Sequence, residues 1–195
     1  MNLHGVLLVN KPEGCTSHDI VDKVRRIVGQ RQVGHAGTLD PMATGLLVLL
    51  LGEATKISDY LLNSQKGYRA KIKFGIETDT LDRTGEVLRE QPVVLDPELI
   101  AAEAKKLLGV LQLEVPKFSA VKVGGVKLVN AARKKVAVQT PTRPMEFIDL
   151  TIHEVTHHTL DLDLHCEKGA YIRAWAHQLG QNPGCGAALE SLQNI

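Results

Sequence analysis

The sequence predicts an α+β fold in a single domain, and three kinds of segment support that prediction. Residues 5–10 and 46–51 are continuous apolar runs of strand length. Residues 66–75 and 160–166 alternate apolar and polar side chains, which is typical of half-buried strands. Residues 17–29 repeat apolar side chains at helical spacing. A length of 195 residues suits one domain with an insertion.

The N-terminal elements follow from local signals. The run 5–10 predicts a buried strand, and the turn Lys11-Pro12-Glu13-Gly14 ends it. In the helix that follows, Ser17 is the candidate N-cap and Gly29 the candidate C-cap. A second buried strand over 46–51 precedes a helix over 53–62.

The second half of the chain predicts shorter elements. Asp96 is a candidate cap before Pro97 at the first helical position. The Gly124-Gly125 pair predicts a β-hairpin. The other predicted elements are the helix ending at Leu108, a strand over 110–115, a short helix over 131–134 and a strand after Pro144.

Composition places the chain among cytoplasmic proteins that do not enter a membrane. It is 44% hydrophobic and 23% charged, as is ordinary for globular proteins. No apolar run approaches the ~20 residues that span a bilayer, and no basic leader opens the sequence. Cys15, Cys166 and Cys185 are far apart and odd in number, which predicts reduced thiols. We also expect a monomer.

A net charge of +1 hides a strongly basic segment. Residues 115–143 contain seven cations and no Asp or Glu, and the rest of the chain is negative by six charges. A basic block on an acidic body predicts contact with a polyanion, and the alternative is a solvated basic surface. The seven cations are Lys117, Lys122, Lys127, Arg133, Lys134, Lys135 and Arg143.

The most informative stretch is 34–45, Gly-His-Ala-Gly-Thr-Leu-Asp-Pro-Met-Ala-Thr-Gly. Its glycines and proline predict a loop, and loops often carry function. Pro41 biases Asp40 toward an extended backbone. A restrained aspartate suits a nucleophile or a general base. The alternative is a structural turn in which Asp40 is the capping residue.

This stretch resembles the catalytic loop of the TruB family of tRNA pseudouridine synthases, which isomerise uridine 55 of the tRNA T-loop. The resemblance implies the pseudouridine synthase fold, a mixed and mostly antiparallel sheet flanked by helices. It implies that Asp40 is the nucleophile, at the base or at the ribose, and that His35 holds the T-loop open or fills the gap left by the flipped base.

Further motifs agree in order along the chain. Lys11-Pro12 resembles the family's first motif, so Lys11 is expected to touch phosphate or to support the active site. Tyr68 stands where the family stacks a tyrosine on the target base; a core tyrosine is the alternative. Lys168-Gly169-Ala170-Tyr171-Ile172-Arg173 resembles the third motif, in which the arginine pairs with the catalytic aspartate and the tyrosine lines the uridine pocket. A surface helix position is the alternative for Arg173.

The basic block resembles the family's RNA-binding insertion, although Val129 replaces a tyrosine and the run after Arg133 lacks a glycine. Leu192 stands where the family has a leucine near the target uridine. Gln193-Asn194-Ile195 replace its arginine pair and further strands. We therefore expect a catalytic domain without its last part, with the C-terminal RNA-binding domain absent.

The expected partner is the T-arm of tRNA, and the resemblance implies no cofactor. His153, His157, His158 and His165 lack the spacing of a metal site, so no metal is predicted. Two other functions stay open. One is an RNA-binding or RNA-folding module with little catalysis, and the other is a metabolic-enzyme domain with a fortuitous loop match.

Overall fold

A computed structural model describes residues 2–195, which form two units. Unit 1 runs up to Arg69 and includes Leu192–Ile195, and unit 2 is Ala70–Ser191. Two strands, β4 (Lys66–Phe74) and β12 (Ala187–Asn194), contribute residues to both units. The expectation that all of these residues make one catalytic domain stays a prediction.

Unit 1 is built around strand β3. Strands β1 and β2 pair with β3 in antiparallel fashion, and the end of β12 pairs with its start in parallel, Gln193 opposite Thr44. Besides parts of β4 and β12, its elements are β1 (Gly5–Lys11), α1 (Ser17–Val28), β2 (Val33–His35), β3 (Thr44–Leu51), a 3₁₀ helix (Gly52–Ile57) and α2 (Ser58–Leu62).

Strand β1 forms as predicted, but the expectation that it is buried is wrong. Val6 is 52% exposed and Leu8 is 65% exposed. In the strand order of the sheet β1 is the terminal strand, so its apolar side chains are less covered than those of β3. In β3, Leu47 and Leu49 are 2% and 0% exposed, and the prediction of a buried strand there is confirmed.

Helix α1 begins one residue earlier than its predicted cap implies. Thr16 is the N-cap and forms a capping box with Asp19, whereas Ser17 is the first helical residue and is buried. Gly29 takes the left-handed C-cap conformation, as predicted. The single helix predicted over 53–62 is instead a 3₁₀ helix followed by a short α-helix.

Unit 2 contains the order β12-β4-β11-β10-β7, in which β10 pairs antiparallel with both neighbours. Its helices are α3 (Pro97–Lys106), α4 (Leu128–Arg133) and α5 (Ile172–Gln181). Besides parts of β4 and β12, its strands are β5 (Ile76–Thr78), β6 (Val87–Glu90), β7 (Gly109–Glu114), β8 (Lys122–Val123), β9 (Val126–Lys127), β10 (Thr142–Val155) and β11 (Thr159–Cys166).

The alternation predicted for β11 is confirmed. Leu160, Leu162 and Leu164 are all 0% exposed and form part of the core. The Gly124-Gly125 hairpin and the helix cap at Asp96 are also present. The short helix of the basic insertion forms too, but it begins at Leu128 and ends at Arg133 instead of spanning 131–134. Helices beside a mixed, mostly antiparallel sheet confirm the α+β prediction. Among residues 2–195, none of the helices is long and apolar enough to cross a bilayer.

Candidate functional site

Lys11 braces the loop that carries Asp40. The irregular part of this loop joins β2 to β3. Lys11 is 0% exposed, and its Nζ donates to the carbonyls of Pro41 at 3.3 Å and Ala43 at 2.6 Å. Its third bond goes to the Pro12 carbonyl at 3.0 Å. One ammonium therefore holds two backbone positions directly after Asp40.

Further bonds hold the other side of the same turn. The Leu39 N–H donates to Ser17 Oγ at 2.9 Å, and the Gly14 N–H donates to the Pro41 carbonyl at 2.9 Å. The Ala43 N–H donates to the Asp40 carbonyl at 3.0 Å and closes the turn. Asp40 itself is half-buried. These bonds restrain the backbone on both sides of its carboxylate, which suits a nucleophile that must be aimed.

The position of Lys11 favours one of its two expected roles. A side chain with no exposed surface and three carbonyl partners supports the loop, and a contact with RNA phosphate stays a prediction. Burial lowers its pKa from the ordinary 10.5, and nearby Cys15 and Asp40 oppose that shift.

His35 is the last residue of β2 and is half-buried, with its Nδ1 buried and without a hydrogen-bond partner in the described part of the chain. Burial lowers its pKa below the ordinary 6.5; a backbone bond to Gly37 opposes the shift and His18 adds to it. The imidazole is therefore neutral at pH 7.

Tyr68 lies in the first part of β4 and is half-buried. It lines a cavity of about 200 Å³ together with loop residues 36–39 and the start of β3. Unit 1 thus brings Tyr68 and the Asp40 loop to one cavity. Leu192, also in unit 1, is buried at 7% exposure.

Arg173 belongs to unit 2 and is the second residue of α5. It is 3% exposed, so the alternative of a surface position is wrong. Its guanidinium donates to the carbonyl of Thr80 at 2.8 Å and to that of Phe118 at 3.1 Å. Arg173 therefore links the loop after β5 to the start of the basic insertion. Its pairing with Asp40 stays a prediction.

Asp82 is a partner of Arg173 that sequence reasoning missed. It is 4% exposed, and its Oδ2 lies 3.8 Å from Arg173 Nε. Its Oδ1 accepts bonds from the hydroxyls of Thr80 and Thr84 at 2.8 and 2.6 Å. The regular Thr80, Asp82, Thr84 spacing is the only local signal, because the arginine lies 91 positions further along the chain.

The remaining predicted residues also lie in unit 2. Tyr171 is the N-cap of α5 and is half-buried. The seven predicted RNA-binding cations are all exposed. A second cavity, of about 330 Å³, lies between β5, the end of β7 and α5.

Two of the four histidines considered as metal ligands pair with aspartates. His153 contacts Asp163 at 2.8 Å, and His165 contacts Asp149 at 2.7 Å. Over residues 2–195 there is no group of three or more His, Cys, Asp or Glu side chains that could hold a metal ion. Cys15, Cys166 and Cys185 form no disulfide bond within residues 2–195.

The model of the "TruB family pseudouridylate synthase (N terminal domain)" matches residues 25–172. This chain belongs to that family. The matched span contains the Asp40 loop, Tyr68 and the basic insertion.

Named relatives agree with this assignment. A tRNA pseudouridine synthase B of Bdellovibrio bacteriovorus is 49% identical over 97% of this chain and 62% of its own length. A protein of the same name from Salmonella paratyphi B is 40% identical over 100% of this chain and 62% of its own length. The chain therefore spans less than two thirds of these relatives.

Solved structures share the fold. A chain of a Cbf5-Nop10-Gar1 complex superposes with a TM-score of 0.76 at 25% identity, covering 98% of this chain and 48% of that one. A chain of an H/ACA RNP bound to a substrate RNA containing 2'-deoxyuridine gives a TM-score of 0.74 at 22% identity, covering 98% of this chain and 47% of that one. The fold implied by the resemblance is confirmed.

Proposed function

We propose that this chain is the catalytic part of a synthase that isomerises uridine 55 in the T-loop of tRNA to pseudouridine. The observation that carries the proposal is the restraint of Asp40 by Lys11, Ser17 and Gly14, in a chain that belongs to the TruB family. The names of its relatives support a tRNA substrate.

Binding begins with the exposed cations of the basic insertion. They contact RNA phosphates, which set the register without reading sequence. The target uridine then leaves its stack and enters the active site. Tyr68 stacks on the base, and Tyr171 and Leu192 line its pocket. Neutral His35 occupies space in the opened T-loop, because an uncharged ring packs among bases at little desolvation cost.

The chemistry is an isomerisation that conserves the composition of the uridine. Asp40 attacks either the base or the ribose and forms a transient covalent bond, and the bond from N1 to C1′ breaks. The base rotates, a bond from C5 to C1′ forms, and the bond to Asp40 breaks, which restores the free carboxylate. The hydrogen on C5 leaves to solvent, and N1 gains a proton. Arg173 pairs with the carboxylate of Asp40 and keeps it anionic in a partly buried site.

Tritium release from a tRNA transcript labelled at C5 of its uridines tests the proposal. The wild-type chain is expected to release about one equivalent per tRNA, because only one site reacts. Asp40→Asn should abolish release, on the order of 10³-fold or more, since the nucleophile is lost. Asp59→Asn, an exposed aspartate on α2, is the matched control and should react normally.

Turnover by Asp40→Asn at the wild-type rate would remove Asp40 from the catalytic role. Tight tRNA binding by the wild-type chain without any release would favour the RNA-binding module over the enzyme. Mapping the modified position distinguishes uridine 55 from other uridines. A monomeric state and a cytoplasmic location are further parts of this proposal.

A further inference from the structure

The basic insertion contains a groove whose apolar lining has no role in the catalytic proposal. It has a volume of about 370 Å³ and lies wholly within unit 2. Leu128 and Ala131 of α4 line it and are only 2% and 4% exposed. Ala132 and the 57% exposed Val136 also line it. The lining of this groove is therefore mainly aliphatic, although the surrounding segment is basic.

Four cations line this groove or lie next to its lining residues in the sequence. Lys117 lines the groove, and Arg133, Lys134 and Lys135 lie at the end of α4 and directly after it. All four side chains are exposed, and none forms an ion pair within residues 2–195. A ligand that complements both features carries negative charge and a flat apolar group. RNA has both, because its phosphates are anionic and every base has an apolar face.

The backbone after α4 places Lys135 directly before Val136, which lines the groove. The Val136 N–H donates to the Ala131 carbonyl at 3.0 Å, and the Lys135 N–H donates to the Ala132 carbonyl at 2.9 Å. This Schellman arrangement needs a left-handed residue, which is usually glycine. Lys135 takes that position with φ of 53°. The chain thus keeps a lysine where the backbone favours glycine.

We propose that this groove is a subsite for one unstacked nucleotide of the bound RNA, other than the target uridine. Its base packs on Ala132 and Val136, and Lys117 and Lys135 contact the adjoining phosphates. Gln139, which also lines the groove, offers an amide to the base edge. The inference rests on the proposed function in taking the T-arm of tRNA as the ligand, but not on turnover.

A filling variant with matched RNAs tests the subsite. The probe is a fluorescent T-arm hairpin with cytidine at the target position, which prevents turnover, and a set of hairpins that each lack one other loop base. For the wild-type chain, removal of one particular base should weaken binding roughly 5-fold or more. Ala132→Leu fills the groove without changing charge. Its affinity for the intact hairpin should equal the affinity of the wild-type chain for the hairpin that lacks the critical base.

In Ala132→Leu, removal of the same base should then have no additional effect. Ala102→Leu on α3 is the control, because Ala102 is likewise a helical alanine that is not buried, but it lies outside the groove. Val136→Thr keeps the side-chain volume at an exposed position and should weaken binding in the same direction. Equal affinities of Ala132→Leu and the wild-type chain for the intact hairpin would overturn the subsite. Equal affinities of the wild-type chain for the intact hairpin and for every abasic hairpin would also overturn it.

Lys135→Gly separates the phosphate contact from the base contact. It should lower the dependence of log affinity on log salt by about one while leaving the effect of base removal intact. An unchanged salt dependence would remove Lys135 from the subsite. These binding outcomes do not depend on tritium release. A chain with the base effect but no turnover would contradict the proposed function and leave the subsite in place.

Discussion

At the scale of single residues, Lys11 is a fully buried cation whose donors all go to backbone carbonyls. The cost of desolvating an ammonium is offset only when its hydrogen bonds are made. Two of its acceptors belong to the turn that follows Asp40. The same side chain therefore supports the fold and aims the loop.

Replacing Lys11 with methionine tests that role. Lys11→Met keeps the length of the side chain but removes the Nζ donor from the Ala43 carbonyl and leaves the Pro41 carbonyl with the Gly14 N–H alone. We expect a loss of about 1–3 kcal/mol in the free energy of unfolding, because buried acceptors are left unpaired. Urea unfolding measures this loss. Lys23→Met, an exposed lysine on α1, should change stability little, and equal effects of the two substitutions would contradict the bracing role.

His35 gives a pH dependence with a definite sign. Its pKa in the folded chain lies below 6.5, chiefly because of burial. As the pH falls below 6.5 the unfolded chain takes up a proton first, so the folded state loses stability until the folded imidazole is also protonated. The stability contributed by the neutral imidazole is fully present above this window.

We expect His35→Gln to show a smaller loss of stability than wild type between pH 7 and pH 5, because the titrating group is gone. Urea unfolding at the two pH values measures the difference. His157→Gln is the control, since His157 is exposed. A wild-type pH dependence in His35→Gln would contradict the assignment.

At the scale of elements, strand pairing in unit 1 depends on a close approach at Gly45. Its φ is 98°, and a Cβ there would lie 2.2 Å from the Asn194 carbonyl oxygen. That oxygen belongs to β12, which pairs with β3 at this point. Backbone, unlike a flexible side chain, cannot move away cheaply, so only glycine fits.

Gly45→Ala should therefore destabilise the chain by more than backbone conformation alone explains. Gly29→Ala is the matched control, since Gly29 has φ of 65° but a Cβ added there would meet nothing within 4 Å. We expect about 1 kcal/mol for Gly29→Ala and at least ~2 kcal/mol for Gly45→Ala. Guanidinium unfolding of both variants measures this, and similar losses would argue against the clash.

At the scale of the whole molecule, charge is divided unequally along the chain. Residues 115–143 carry seven cations and no acid, although the net charge is only +1. The structure leaves all seven exposed. Affinity for RNA should therefore depend on this one segment and on salt, and hardly on net charge.

Changing Arg133, Lys134 and Lys135 together to glutamine tests this view. The slope of log affinity for tRNA against log salt should become shallower by about 2–3, because three phosphate contacts are lost. Fluorescence anisotropy over a salt series measures the slope. The control changes Lys23, Arg26 and Lys105, which are exposed cations on α1 and α3. A similar change in slope for the control would mean that the insertion is not the main contact.

Local patterns were enough to predict much of this protein. The Asp40 loop, the alternating strand β11 and the basic hairpin are each encoded within about a dozen consecutive residues. The family assignment follows from the same kind of signal and is confirmed. Such features can be predicted from the sequence because side-chain periodicity and the backbone conformation of glycine depend on residues that are close along the chain.

Only the tertiary structure decided where polar groups find their partners. Lys11 bonds to Ala43, 32 positions away, and Arg173 bonds to Thr80, 93 positions away. Burial depends on distant elements too, which is why apolar β1 is a largely exposed terminal strand. The sequence alone determined which loop carries Asp40. The fold decided which groups hold that loop in place. A buried charge must be hydrogen-bonded, and its partners are the groups that tertiary packing places next to it.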